Sequence, residues 1–253
     1  MKAAVLCEQP GDLVIEDLKI DTPGPQEVLI QTVGAGLCHS DLHFMEGLFR
    51  SKLPAVMGHE SAGIVQSVGR DVTYVKPGDH VVACLSIFCG QCRQCLSGNP
   101  HRCSNTRATS RGRDDEPRLQ RHDGTPVDQM ARLGGFAEEM LIHQNGLVKV
   151  TEDVSLEKAC LIGCGVTTGF GAAVKTAAVP VGATVCVIGC GGIGLSAIQG
   201  ARVAGASRII AVDMSAEKLE TAKVMGATDT LNASETDDVV TAVKELTKGG
   251  VEY

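Results

Sequence analysis

The sequence predicts a chain of class α/β plus β in two parts. Residues 1–154 are expected to form a β-rich domain, and residues 155–253 a doubly wound α/β domain. Three observations predict this. Short β-branched runs parted by Pro-Gly turns fill the first hundred residues. From about residue 155 strand-like and helix-like segments alternate. A glycine-rich fingerprint near residue 190 falls between one such strand and one such helix.

Bulk properties narrow the classes of function. A length of 253 residues suits one large domain or two ordinary ones, and 43% hydrophobic residues with 30 glycines make a chain that buries a core and turns often. A formal charge of −7 with 23 basic residues gives no electrostatic footprint for nucleic acid. No apolar run approaches the roughly 18 residues of a membrane helix. The opening Met1-Lys2-Ala3-Ala4-Val5-Leu6-Cys7 runs at once into Glu8 and Pro10, unlike a signal peptide. Eleven cysteines in such a chain point to metal ligands more than to disulfides. The expected setting is therefore cytoplasmic, with neither nucleic acid nor membrane as partner.

In the first part, residues 28–33, 63–68 and 80–83 are β-rich, and Pro10-Gly11-Asp12, Pro23-Gly24-Pro25 and Pro77-Gly78-Asp79 are turns. The pattern describes an irregular barrel or sandwich. Within it, Gly36-Leu37-Cys38-His39-Ser40-Asp41-Leu42-His43 packs a thiol, a hydroxyl, a carboxylate and two imidazoles together, and Gly58-His59-Glu60 follows. A thiolate and an imidazole together suit zinc. For residues 36–43 alone, a polar turn around a buried thiol is the alternative.

A lobe at about 84–103 carries Cys89, Cys92, Cys95 and Cys103, spaced C-x2-C-x2-C-x7-C. Four sulfurs close a tetrahedral zinc shell with no open position, which marks a structural site. An iron–sulfur cluster also accepts four cysteines, but a single cluster after a β domain favours zinc. Residues 104–134 are polar, of mixed charge and poor in apolar periodicity, and are expected to form a long solvated loop, with the wall of a substrate cleft as the functional alternative. Strand character resumes at residue 135.

In the second part, residues 183–188 have the character of a buried strand. Directly after them Gly189-Cys190-Gly191-Gly192-Ile193-Gly194 satisfies GxGxxG and opens a helix expected to run through Ala204. A second strand, 208–212, ends in Asp213, near the spacing of about 20 residues at which an acid meets the ribose of a dinucleotide. Gly189, Gly191, Gly192 and Gly194 let backbone amides approach a pyrophosphate at a helix N-terminus. Asp213 accepts from both ribose hydroxyls and repels a 2′-phosphate, which favours NAD over NADP. Cys164, in Gly163-Cys164-Gly165, would complete three protein ligands with Cys38 and His59, leaving a fourth position open; a buried thiol in a glycine-rich bend is the alternative. Cys7, Cys84, Cys160, Cys186 and Cys190 are expected to be packing residues, with Cys190 the candidate for oxidation.

With these motifs in this order, the chain resembles the zinc-dependent alcohol dehydrogenases of the medium-chain dehydrogenase/reductase superfamily. The run from Gly58-His59-Glu60 through Gly63 and Gly69 to Val72 matches the family's zinc signature. The four-cysteine lobe and the GxGxxG with its acid match as well, so that the resemblance covers essentially the whole chain. It implies a GroES-like catalytic domain followed by a Rossmann domain, and a zinc-dependent oxidoreductase that transfers a hydride from an alcohol to NAD. Cys38, His59 and Cys164 then look like ligands of a catalytic zinc, with Glu60 near the metal, and Cys89, Cys92, Cys95 and Cys103 like those of a structural zinc. Ser40 and His43 occupy the family's proton-relay positions, and Asp41 the position behind the ligand histidine. His39 falls where a basic residue touches the pyrophosphate, and Lys218 where a lysine helps Asp213 hold the ribose. Cys164, in place of the glutamate of polyol dehydrogenases, points to the alcohol branch, and the family implies a homo-oligomer for a full-length chain.

The sequence ends at Val251-Glu252-Tyr253, at what looks like the start of a further strand. It is expected to hold only the first half of the Rossmann fold, truncated at its C-terminus. Two other readings remain beside the dehydrogenase: an inactive paralogue that binds zinc and nucleotide, and a thiol-dependent formaldehyde dehydrogenase.

Overall fold

A computed structural model describes residues 1–112 and 114–253. It divides into two compact units, Met1–Cys164 and Gly165–Tyr253, where the sequence suggested a boundary after residue 154.

The first unit is β-rich. Its strands are β1 (Lys2–Leu6), β2 (Leu13–Asp17), β3 (Lys19–Ile20), β4 (Glu27–Gly36), β5 (Ala55–Val56), β6 (Glu60–Val68), β7 (His80–Ala83), β8 (Leu119–Gln120), β9 (Pro126–Gln129), β10 (Glu139–His143) and β11 (Leu147–Val150). They form a six-stranded sheet in the order β2-β1-β5-β9-β8-β3 and a five-stranded sheet in the order β10-β4-β6-β7-β11. All pairs are antiparallel except β5 with β9. Alternation decides which face is buried: Val28 and Ile30 of β4 join Val65, Val81, Met140 and Ile142 in one core, while Gln31 and Val33 face out. Ala3, Val5, Val56, Leu119 and Val127 make a second core under the other sheet. Among the described residues the unit also has three short α-helices, α1 (His39–Met45), α2 (Arg93–Leu96) and α3 (Leu156–Ala159), beside several 3₁₀ turns.

Residues 104–134 are not the solvated loop their composition suggested. Strands β8 and β9 lie in this stretch, and Leu119, Val127, Met130 and Leu133 are buried. Arg111 and Arg118 turn inward. Arg118 Nε donates to Glu27 Oε1 at 2.7 Å and Arg111 Nη2 to Glu27 Oε2 at 2.7 Å, so polar residues here serve a buried ion cluster. Strands of two to four residues are too short to show a period in sequence.

The second unit alternates α4 (Gly165–Gly171), β12 (Thr184–Ile188), α5 (Gly192–Ala204), β13 (Arg208–Asp213), α6 (Ala216–Met225), β14 (Asp229–Asn232) and α7 (Val239–Thr247). The strands are parallel, in the order β12-β13-β14. Residues 252–253 run along the outer edge of β12, where Cys186 N–H donates to Tyr253 O at 2.9 Å and Glu252 N–H to Thr184 O at 3.1 Å. The chain order thus reverses beside β12, and in such sheets the crevice at the carboxyl ends of the strands takes the ligand. Among the described residues no single helix is long and apolar enough to cross a membrane.

Candidate metal centres and nucleotide site

Strand register builds the first metal centre. Gly36, the last residue of β4, pairs with Glu60, the first of β6. Cys38, two residues past the end of one strand, and His59, one residue before the other, are therefore brought side by side. The third side chain arrives by a close approach at Gly163. A Cβ there would lie 2.2 Å from Ala83 O, so only glycine lets the chain press onto the end of β7 and deliver Cys164. One ligand atom from each of Cys38, His59, Glu60 and Cys164 lies within 4.8 Å of all the others, and His59 and Glu60 are buried.

Asp41 holds this arrangement from behind. Its Oδ2 accepts from Cys38 N–H at 3.1 Å, capping α1, and its Oδ1 accepts from Gly58 N–H at 3.2 Å. The same Oδ1 lies 3.3 Å from His59 Nδ1, in contact but off the line of a hydrogen bond, so Nδ1 is buried without a hydrogen bond and with a carboxylate beside it. Nε2 is the ring nitrogen left for a metal. This is the carboxylate–histidine arrangement that orients zinc ligands.

The protonation of the cluster also fits a dication. Burial works against ionisation of Cys38, but the Ser40 backbone N–H, the Ser40 hydroxyl and His59 outweigh it and hold the thiol below its ordinary value. Burial likewise works against a charged His59, and Asp41 and then Cys38 overcome it, raising its pKa. Cys164 is pushed up to about 12 by burial, then by the Cys38 and Glu60 charges. Two sulfurs this close both become thiolates when a cation lies between them.

The second centre lies in the lobe around α2. Its four cysteine sulfurs fall within 4.8 Å of one another, with Sγ–Sγ separations of 3.4 Å for Cys92–Cys95 and 3.9 Å for Cys89–Cys95 and Cys92–Cys103. A tetrahedron with Zn–S bonds of about 2.3 Å has edges of roughly 3.8 Å. These spacings match the shell of a single ion, and all four cysteines are free thiols. Backbone N–H groups of Cys89 and Cys92 donate to Cys103 Sγ and Cys89 Sγ at 3.3 Å, bonds that stabilise thiolates. The Cys95 and Ser104 backbone N–H groups lower Cys92 to about 5, whereas burial and the Cys92 thiolate raise Cys95 to about 11.

The nucleotide fingerprint forms the turn between β12 and α5. A Cβ on Gly194 would lie 1.8 Å from Gly189 O, so the helix packs against the turn only without a side chain there. Around Gly191 and Gly192 a Cβ would meet nothing within 4 Å, which leaves the backbone open to a diphosphate. Asp213 ends β13 and braces the turn: Oδ2 accepts from Cys190 N–H at 2.7 Å and Oδ1 from Ser215 N–H at 2.9 Å. Those two N–H groups hold the carboxyl below its ordinary value, with Lys218 adding to the effect.

Residues 24–152 match the alcohol dehydrogenase GroES-like domain family, and residues 192–253 match the zinc-binding dehydrogenase family. The chain belongs to the zinc-binding, medium-chain alcohol dehydrogenase family. It is 41% identical to the probable S-(hydroxymethyl)glutathione dehydrogenase 1 of Schizosaccharomyces pombe, over 100% of this chain and 68% of that protein. It is similar in structure to an alcohol dehydrogenase zinc-binding domain protein from Burkholderia ambifaria, with TM-score 0.91 and 38% identity, covering 100% of this chain and 69% of that one. The benzyl alcohol dehydrogenase of Acinetobacter calcoaceticus gives TM-score 0.86 and 40% identity, covering 99% and 68%. This alcohol dehydrogenase thus has a GroES-like unit followed by a Rossmann-type unit.

In this dehydrogenase, Ser40 lies against Cys38, and the half-buried His43 packs edge-on against Phe49 with centroids 5.2 Å apart. Ser40 and His43 share no hydrogen bond. His39 is exposed and stacks edge-on against His43 at 4.7 Å, apart from the ligand cluster. Lys218 lies in the first turn of α6, capped by Ser215. Cys160 and Cys190 are buried as packing residues, but Cys7 is exposed and interacts with Glu16 and Arg121 at 3.2 and 3.3 Å. Sequence reasoning missed Gly163, whose role rests on the Ala83 carbonyl, and the Ser40 amide beside Cys38; neither leaves a signal outside the fold.

Proposed function

We propose that this dehydrogenase oxidises a small alcohol, reversibly, with NAD as hydride acceptor. The observation that carries the reading is the Cys38, His59 and Cys164 cluster with Asp41 behind the ring of His59. Cys38, His59 and Cys164 would hold a catalytic zinc, with the Glu60 carboxylate at its margin, and Cys89, Cys92, Cys95 and Cys103 a structural one. A zinc at the open site supplies the Lewis acidity that lets an alcohol give up its proton near neutral pH, and NAD takes the hydride. Asp41 fixes the tautomer and tilt of His59. Ser40, beside Cys38, accepts the hydroxyl proton of the substrate as it releases its own, and His43 passes a proton on towards solvent. Asp213 with Lys218 receives the adenosine ribose, and Gly189, Gly191, Gly192 and Gly194 give the diphosphate its amides. A 2′-phosphate would face the Asp213 carboxylate, which supports NAD over NADP.

A second substrate reading has its own support. The Schizosaccharomyces pombe relative is named for a glutathione adduct and the Acinetobacter calcoaceticus one for a free alcohol. One assay separates them: benzyl alcohol with NAD, against formaldehyde with NAD, each with and without glutathione. Turnover of benzyl alcohol alone supports the free-alcohol reading, and turnover of formaldehyde only with glutathione supports the adduct. No turnover in any arm, with two zincs per chain confirmed, leaves a zinc- and nucleotide-binding protein. We place the enzyme in the cytoplasm, as a homo-oligomer, on its composition and family.

A further inference from the structure

The four-cysteine lobe lacks carboxylates. No Asp or Glu occurs between Asp79 and Asp114, while Arg93, Arg102 and Arg107 lie exposed on the lobe. The lobe also has little apolar packing, since Leu96 is 75% exposed and Ile87, at its root, is the buried side chain that anchors it. Something other than a core must tie the lobe to the barrel.

Arg132 stands at that place. Its Nη1 donates to Thr109 Oγ1 at 2.7 Å and its Nη2 to Ile87 O at 3.1 Å. Ile87 lies two residues before Cys89 and Thr109 six after Cys103, so one guanidinium grips both ends of the lobe. The backbone is strained to put it there. Ala131 and Arg132 are consecutive non-glycine residues at φ 53° and 63°, a left-handed pair that persists only where the surroundings impose it. Arg132 is half-buried and pairs with no carboxylate among the described residues, whereas neighbouring Arg118 and Arg111 are matched by Glu27 and Asp21. Burial and the Arg118 cation weigh against its charge, and the Cys103 thiolate is the anion that acts the other way.

We propose that Arg132 is a positioning residue for the four-thiolate centre, pinning both roots of the lobe and setting a fixed cation beside a group that carries a formal −2 when four thiolates hold a dication. The proposal rests on the reading of Cys89, Cys92, Cys95 and Cys103 as zinc ligands. It accounts for the strained turn, for the absence of a carboxylate partner and for both hydrogen bonds. It also assigns the 104–134 stretch a purpose: Thr109 and Arg118 belong to it, and Arg132 closes it.

The test uses the zinc-loaded chain with Arg132→Met and Arg132→Lys, reading zinc per chain and the time course of its loss to a chromogenic chelator. Cys89→Ser identifies the zinc that belongs to the lobe. If Cys89→Ser keeps the wild-type zinc content, the four-thiolate reading fails before Arg132 is at issue. Otherwise Arg132→Met should release the lobe zinc at least about tenfold faster, in line with other outer-shell partners of zinc ligands, and leave the second zinc at its wild-type rate. Arg132→Lys, which keeps the charge but loses the planar fork, should fall between, and carries the test alone if Arg132→Met does not fold. Wild-type release of the lobe zinc in the variants, or equal acceleration of both zincs, overturns the proposal.

Discussion

Glu27 and His143 share one charged corner of the barrel, and each is held below its ordinary pKa. For Glu27, burial works against the carboxylate, but Arg111 and Arg118 outweigh it. For His143, burial disfavours the imidazolium and Arg118 adds to that. In both cases the unfolded chain takes up a proton before the folded one does, so stability is complete above the unfolded pKa and falls as pH drops through the folded value. The urea midpoint should therefore fall in two stages, first below about pH 6.5 and again below about 4.3. His143→Gln should remove the first stage, and an unchanged first stage would refute its assignment. Glu27→Gln leaves the buried Arg118 without its carboxylate and Arg111 with Asp21 alone, and should cost about 3–5 kcal/mol at pH 7, read as the shift in midpoint. At the reacting end, Ser40→Ala removes the proposed proton acceptor and should lower kcat by about 10²–10⁴ with both zincs retained; loss of zinc in parallel would make Ser40 a ligand support instead. None of the Glu27 cluster was legible in sequence, because Arg111 and Arg118 lie 84 and 91 residues from their partner. The clustering of Cys89, Cys92, Cys95 and Cys103 was legible because their spacing is local.

At the scale of an element, the turn from β12 to α5 separates a packing glycine from a binding glycine. Gly194→Ala drives a methyl into the Gly189 carbonyl and should lower the melting temperature as well as NAD affinity. Gly191 has φ −77° and ψ −172°, which alanine adopts readily, and open space in front of it. Gly191→Ala should therefore leave the melting temperature alone and weaken only NAD binding, measured by calorimetry. A stable Gly191→Ala protein with wild-type NAD affinity would show that the diphosphate does not lie on this turn. This element was the most legible in the chain, since strand, fingerprint, helix and acid are contiguous in sequence. Strands β8 and β9 were the least legible, since their place is set by partners elsewhere: β9 pairs in parallel with β5, and β8 with β3. On the proposed zinc reading, the lobe around α2 depends on metal more than on packing. A chelator should open its amides to hydrogen exchange while those of β4 and β6 stay protected; uniform protection would deny the zinc any structural role.

Across the molecule the two units differ in how far apart in sequence their neighbours lie. In the second unit β12 pairs with β13 and β13 with β14, each across one short helical crossover. In the first, Leu141 of β10 meets Leu29 of β4, and Val56 of β5 meets Val5 of β1 and Gln129 of β9. Closing long loops costs entropy before any contact repays it, so chains rich in distant pairings fold more slowly. The shape of both units followed from sequence at the level of class, because alternation and glycine spacing are local, whereas the six-stranded order did not, because it is not. Cys38 and Cys164 lie 126 residues apart in the first unit's chain, and they meet only once β4, β6 and β7 are in register. The first metal centre is thus a clock for the barrel. In refolding, zinc uptake there should trail the return of helical signal from the second unit, whereas the lobe, whose four cysteines span fifteen residues, should load early. Simultaneous uptake at both centres would mean that metal nucleates the barrel and does not report its completion.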